Sequence, residues 1–138
     1  MTKLFRSRGF DSLIGKGTVI HGELLIAANS TTLIEGSAYL SSVQGEQVDG
    51  KVSAKTTLHV GGQLLEPIDK QLNIEVQNVI ITGKVVCKTI RVEGTLAVKA
   101  GATLLAEKIL YRELIIETGA VVHGRMNHLD HVSEGEVV

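Results

Sequence analysis

Five histidines, one cysteine and a scatter of serines are the groups in this chain with the most obvious chemical potential. His21 and His123 each stand just before a glycine in a recurring five-residue unit, where other copies hold Glu35, Asp49, Gly61, Thr82 and Glu93. A position that accepts such different side chains belongs to a solvated outer face. Both are therefore expected as surface histidines, whose remaining chemistry would be a pH-sensitive lateral contact. His123, His128 and His131 gather with Asp130 near the end of the sequence. A metal needs convergent ligands and a supporting outer shell. A chain end supplies neither, so no metal is expected there. Cys87 follows Val85 in the inward register and is expected as a small buried hydrophobe, since no base is fixed beside it. The glycines of Leu13–Gly17 and Val60-Gly61-Gly62 lack the Gly-Lys-Ser/Thr ending and following helix of a phosphate-binding loop. Ser41 and Ser42 lack a His/Asp frame or a nucleophile elbow. The expectation is a non-enzyme with no cofactor and no nucleotide.

With no catalytic group to position, the chain must be read for what its elements build. Its 138 residues make one domain by length. Fourteen basic against 15 acidic residues leave no positive stripe for nucleic acid, and 3% aromatics leave no base-stacking platform. An apolar content of 43% is too high for a disordered chain. One cysteine excludes a disulfide framework or cysteine-based zinc site and fits a reducing compartment. No apolar run approaches the roughly 20 residues of a membrane-spanning helix, and no apolar segment follows the basic start as in a signal peptide. A cytoplasmic protein is expected.

The charge is unevenly placed. Residues 1–10 carry +3 from Lys3, Arg6 and Arg8, while residues 129–138 carry −3 from Asp130, Glu134 and Glu136. The basic start interleaves its cations with Leu4, Phe5 and Phe10. Such a segment can rest on an anionic membrane surface, each basic residue adding about 1 kcal/mol and the apolar groups adding more. A solvated chain end is the plainer alternative.

One pattern recurs: apolar, any residue, Gly, any residue, apolar. It appears at Ile20–Leu24, Ile34–Ala38, Val48–Val52, Val60–Leu64, Ile81–Val85, Val92–Leu96 and Val122–Met126, with an eighth, decayed copy at Leu104–Lys108 carrying Ala106 in the glycine slot. The local period is two. Ile90, Val92, Gly94, Leu96 and Val98 share one face, and Arg91, Glu93, Thr95, Ala97 and Lys99 share the other. Strict alternation rich in Ile, Val, Leu and Thr marks strands with one buried face. Residues 107–117 also fit a helix through the Leu110/Leu114 and Tyr111/Ile115 spacings.

Glycine weakens an ordinary strand, but suits a chain that bends or lets another backbone approach. Glycine recurring at one inward slot predicts repeated bends in a coiled sheet. The expected fold is all-β, a single-stranded β-helix or β-solenoid with a narrow aliphatic core. At roughly 18 residues per coil and about 4.8 Å per step, it has about six coils and is about 30 Å long. The boundaries are a tail over 1–11, a solenoid over 12–128 and an acidic tail over 129–138, both tails short and disordered. A rod of this kind leaves open strand edges and an apolar cross-section at each end, which template self-association. The contacts expected are Leu13, Ile14 and Ile20 at the head, and Val121, Val122, Met126 and Leu129 at the tail.

These residues resemble the bactofilins, a family of bacterial polymer-forming cytoskeletal proteins. Leu13-Ile14-Gly15-Lys16-Gly17-Thr18-Val19-Ile20-His21-Gly22-Glu23-Leu24 is similar to the family's opening coil. Leu114-Ile115-Ile116-Glu117-Thr118-Gly119-Ala120-Val121-Val122-His123-Gly124 is similar to its closing coil. The resemblance covers about residues 12–127. It implies a right-handed, roughly triangular β-helix; alternation alone fits either hand. It also implies nucleotide-independent, non-polar filaments joined head to head and tail to tail. Many members attach to the inner face of the membrane through a short N-terminal segment, a role that would fall on Lys3, Leu4, Phe5, Arg6, Arg8 and Phe10. Cell-wall or polarity proteins are the partners implied. The chain departs from the pattern in the long Gly62–Gly83 interval, where Pro67 predicts a loop or distorted coil. It also departs in its last coil, Arg125-Met126-Asn127-His128, which lacks a large aromatic.

Two other functions compete. A left-handed hexapeptide acyltransferase would use the six-residue spacing of Ile14, Ile20 and Ile26 with His21 as base, but that spacing soon fails and no acceptor-binding domain is present. A dimeric β-solenoid interaction module, similar to the C-terminal part of the MinC division-site inhibitor, would form discrete dimers.

Overall fold

The computed structural model describes residues 12–129. Its strands, in chain order, are β1 (Ser12–Ile14), β2 (Val19–Ile26), β3 (Thr31–Ile34), β4 (Ser37–Gly45), β5 (Gln47–Val48), β6 (Lys51–Val52), β7 (Thr57–Val60), β8 (Gln63–Leu65), β9 (Asn73–Val76), β10 (Asn78–Ile81), β11 (Lys84–Val98), β12 (Thr103–Ile116) and β13 (Val121–His128). Every pairing except the small β5–β6 hairpin is parallel.

The registers resolve into three faces. The first stacks β1, β3, β7, β10, residues 96–98 of β11 and residues 114–116 of β12. The second stacks residues 19–22, 37–40, β8, 84–87, 103–105 and 121–123. The third stacks residues 23–26, 42–45, β9, 89–92, 108–111 and 125–128. Six layers on each face make a β-solenoid of about six coils, as the alternation predicts. The helix alternative over 107–117 does not form, because that stretch completes the last layers of β12.

Each face sends a principal aliphatic column down the interior. Ile14, Ile34, Val60, Ile81, Val98 and Ile116 stack on the first face. Ile20, Ala38, Leu64, Val85, Leu104 and Val122 stack on the second. Leu24, Val43, Ile74, Ile90, Ile109 and Met126 stack on the third. The four middle members of every column are fully buried. Each buried Ile, Leu or Val among them contributes about 1.5–3 kcal/mol of transfer free energy. Three columns meeting across so narrow a section leave room for Ile, Leu and Val but not for stacked rings, which accounts for the few aromatics.

The glycines require a correction. They do not share one inward slot; they divide among corners. Gly36, Gly62 and Gly83 form a column between the first and second faces, where a Cβ on each would overlap the carbonyl oxygen of the coil before: Thr18, Gly36 and Gly62 respectively. There the Ile34 oxygen accepts the N–H groups of both Gly61 and Gly62 at 2.8 Å, and the Val60 oxygen accepts those of Thr82 and Gly83 at 2.9 and 3.0 Å. The chain turns within two residues while keeping its ladder. Gly22 and Gly124 lie instead between the second and third faces, and Ala106 shares that corner, so the decayed copy is a genuine equivalent. Gly94 lies between the third and first faces. The irregular glycine spacings follow from this mixture of corners.

The Val48–Val52 unit is not a coil at all. Asp49 and Gly50, both at positive φ, form the two-residue turn of the β5–β6 hairpin, inserted between the second and third coils. Coils one, five and six use a longer first corner, a four-residue turn with Gly17, Gly101 or Gly119 at positive φ in its third position. In the Gly62–Gly83 interval, residues 66–72 form the anticipated loop. It is anchored by Leu72, which is fully buried and whose carbonyl accepts the Lys88 N–H at 2.8 Å.

Candidate functional site: the two ends of the solenoid

The columns that are dry in the middle coils open at both ends. On the first coil Ile14, Ile20 and Leu24 pack against the core but are only partly buried, and among the described residues no layer precedes them. On the last coil Leu114 and Val122 are partly buried, while Ile116 and Met126 are 42% and 43% exposed. The strand edges match this. Among the described residues β1 pairs only with β3, β2 only with β4, and β13 only with β12. Each terminal layer thus combines unpaired backbone groups with an apolar section, the arrangement that templates addition of another chain.

Four of the seven expected contact residues stand in these sections: Ile14, Ile20, Val122 and Met126. Three stand elsewhere. Leu13 alternates outward from Ile14, on the outer side of the first face. Val121, 44% exposed, alternates outward from Val122. Leu129, in a short turn after β13, is buried at 8%. Sequence reasoning missed Leu24, Leu114 and Ile116. Leu24 closes the same repeat unit as Ile20, and Leu114 and Ile116 obey the period of two, so the signal was present. What was missing was the register that places them on terminal layers. His128 was also missed in this setting. It falls in line with the Tyr111 layer at the tail section, its ring edge-on to Tyr111 with centroids 5.5 Å apart.

Few charges enter the ends. The corner beside the tail section is closed by Glu117, which accepts the Ala100 N–H at 2.9 Å and pairs with Lys99 at 3.4 Å. The backbone N–H first, then the lysine, hold its carboxyl below the usual range. Lys3, Leu4, Phe5, Arg6, Arg8 and Phe10 lie outside the described residues, as do Asp130 and His131. Among the described residues no helix is long and apolar enough to cross a membrane.

His21 and His123 lie on the surface and Cys87 in the core, the places expected of them. His21 is exposed and stacks on Tyr39 of the next coil, with centroids 5.2 Å apart. The pair walls an open groove of about 670 Å³ whose other side is the loop carrying Pro67 and Ile68. His123 is exposed on the second face and His128 lies on the third, so the bend at Gly124 divides the tail histidines. Among the described residues no group of three metal-ligating side chains converges. Cys87 is buried in the core, and burial, helped by Glu66, pushes its thiol up to about 12. It is protonated at neutral pH and acts as a small hydrophobe. No family model, curated protein or solved structure matches this chain, so its function must be argued from the solenoid and its two ends.

Proposed function

We propose that this protein is a bactofilin-like cytoskeletal scaffold. In this reading it assembles without nucleotide by joining its solenoid ends, at the inner face of the cytoplasmic membrane, and positions cell-wall or polarity proteins. The observation that carries the reading is that, among the described residues, all three aliphatic columns open at both ends, each beside strand edges that pair on one side only. Among the described residues nothing covers either section in a monomer. Joining two ends continues the ladders and closes the columns with the same chemistry that holds one coil on the next.

The two ends differ in sequence, so self-pairing of each about a two-fold axis gives a filament without polarity. The residues for membrane attachment are Lys3, Leu4, Phe5, Arg6, Arg8 and Phe10, whose mixture of cations and apolar side chains suits an anionic surface. Sedimentation at rising concentration, with negative-stain imaging and no ATP or GTP, tests assembly. Filaments are expected; a strict monomer at high micromolar concentration would refute the proposal. Discrete dimers that never lengthen would favour the dimeric interaction module. For the membrane arm, deletion of residues 1–10 is expected to abolish pelleting with anionic liposomes, and equal pelleting of both forms would sink it.

A further inference from the structure

The outer side of the first face, like that of the second with its column His21, Tyr39, Leu65, Val86, Leu105 and His123, is rich in apolar residues for a solvated sheet. Its central outward column reads Leu13, Leu33, His59, Ile80, Ala97 and Ile115, one residue per coil. The corresponding outward column on the third face reads Leu25, Gln44, Glu75, Arg91, Leu110 and Asn127, a largely polar series. An apolar stripe running the length of a rod marks a docking surface. Ile115 is exposed and Leu13, His59 and Ile80 are half-buried, whereas Leu33 and Ala97, though outward, are only 7% and 6% exposed. His59, between Leu33 and Ile80, is desolvated enough to lower its pKa.

We infer that this stripe is the docking surface for the protein's own N-terminal segment, residues 1–11. Three observations select that occupant. The segment joins the solenoid at Ser12, the first residue of the first face, beside Leu13 at the head of the stripe. Its reach is sufficient: residues 1–11 extend at most about 36–40 Å, and the stripe from Leu33 to Ile115 covers four coil steps, about 19 Å. Its composition is complementary. Leu4, Phe5 and Phe10 match the apolar column, while Lys3, Arg6 and Arg8 match flanks that carry Glu35, Glu113 and Glu117 against Lys99. The inference does not depend on filament assembly. Phe5 and Phe10 cannot lie on the stripe and in a lipid surface at once, so docking opposes membrane attachment.

The chain has no tryptophan, so Phe5→Trp gives a single reporter in the full-length protein. The experiment compares its emission and acrylamide quenching, without lipid, in three backgrounds: otherwise unaltered, with Ile80→Glu, and with Ile115→Glu. Ile115 is 49% exposed, so its substitution leaves the core untouched and guards against a folding failure at Ile80. Each background is checked by far-ultraviolet circular dichroism and diluted below the onset of assembly. The expected result is blue-shifted, quencher-protected emission that is independent of concentration. Each glutamate should move it to the solvent value and raise quenching several-fold. Solvent-exposed emission in the unaltered background would overturn the proposal, as would indifference to both glutamates. Loss of protection on dilution would assign the stripe to a second copy and overturn it equally.

Discussion

Substituting Met126 by glutamate separates the possible modes of assembly. Met126 stands over the buried Ile109 in the last layer and is 43% exposed. In a free rod the new carboxylate reaches water, so its effect on stability should stay within about 0.5 kcal/mol, as for most surface changes. In a tail-to-tail contact the substitution enters twice. Each carboxylate loses water without a partner, at about 3–5 kcal/mol for an uncompensated buried charge, and the two repel. Even about 3 kcal/mol, counted once, weakens association roughly 100-fold at about 1.4 kcal/mol per decade; counted for both copies it is about 10⁴-fold. The head section of Ile14, Ile20 and Leu24 is unaffected. The variant should therefore stop at head-to-head dimers. Ile20→Glu should stop at tail-to-tail dimers instead. A stoichiometric mixture of Met126→Glu and Met126→Lys should regain filaments, since opposite charges then meet. Sedimentation, negative-stain imaging and far-ultraviolet circular dichroism read all three outcomes. Filaments of Met126→Glu at the unaltered protein's concentrations would place the contact elsewhere. Monomers would refute the non-polar arrangement, because a head-to-tail filament is severed completely by one blocked end.

Three further predictions concern the rod itself. Gly62→Ala places a Cβ against the backbone of Glu35 and Gly36, so it should cost about 3 kcal/mol and lower Tm by about 10 °C; Gly61→Ala, whose Cβ meets only ordinary contacts, should be neutral or mildly stabilising, and equal melting of the two would contradict the corner geometry. Cys87 should resist a thiol-specific disulfide reagent at pH 8 in the folded protein and react fully in denaturant, with rapid native labelling as the contrary result. His59 has a folded pKa below its unfolded value, chiefly through burial, against the opposing pull of Glu35. Its contribution is complete above the unfolded pKa near 6.5 and is lost as pH falls through the lowered folded value. Denaturant titrations between pH 7.5 and 5 should show that decline flattened in His59→Gln, and an unchanged slope would exclude this origin.

The sequence by itself carried the class of fold, because a period of two with glycine bends is a local property. Ile90, Val92, Leu96 and Val98 announce a buried strand face without any knowledge of their neighbours. It also carried the inert character of Cys87 and the loop at Pro67, each legible from one residue and its register. The glycines were legible as bends but not as corners. Gly36 and Gly62 belong together because one sits on the other's carbonyl oxygen across a coil, whereas the similar unit at Gly50 is a hairpin turn. Short motifs cannot distinguish these, since the distinction lies in parallel pairing between residues some twenty positions apart. The ends followed the same rule. Alternation identified Leu24 and Ile116 as inward, yet only the stacking order placed them on terminal layers that no further coil covers among the described residues. Local chemistry determined which residues could be buried, and the tertiary register decided which of them remain open to a partner.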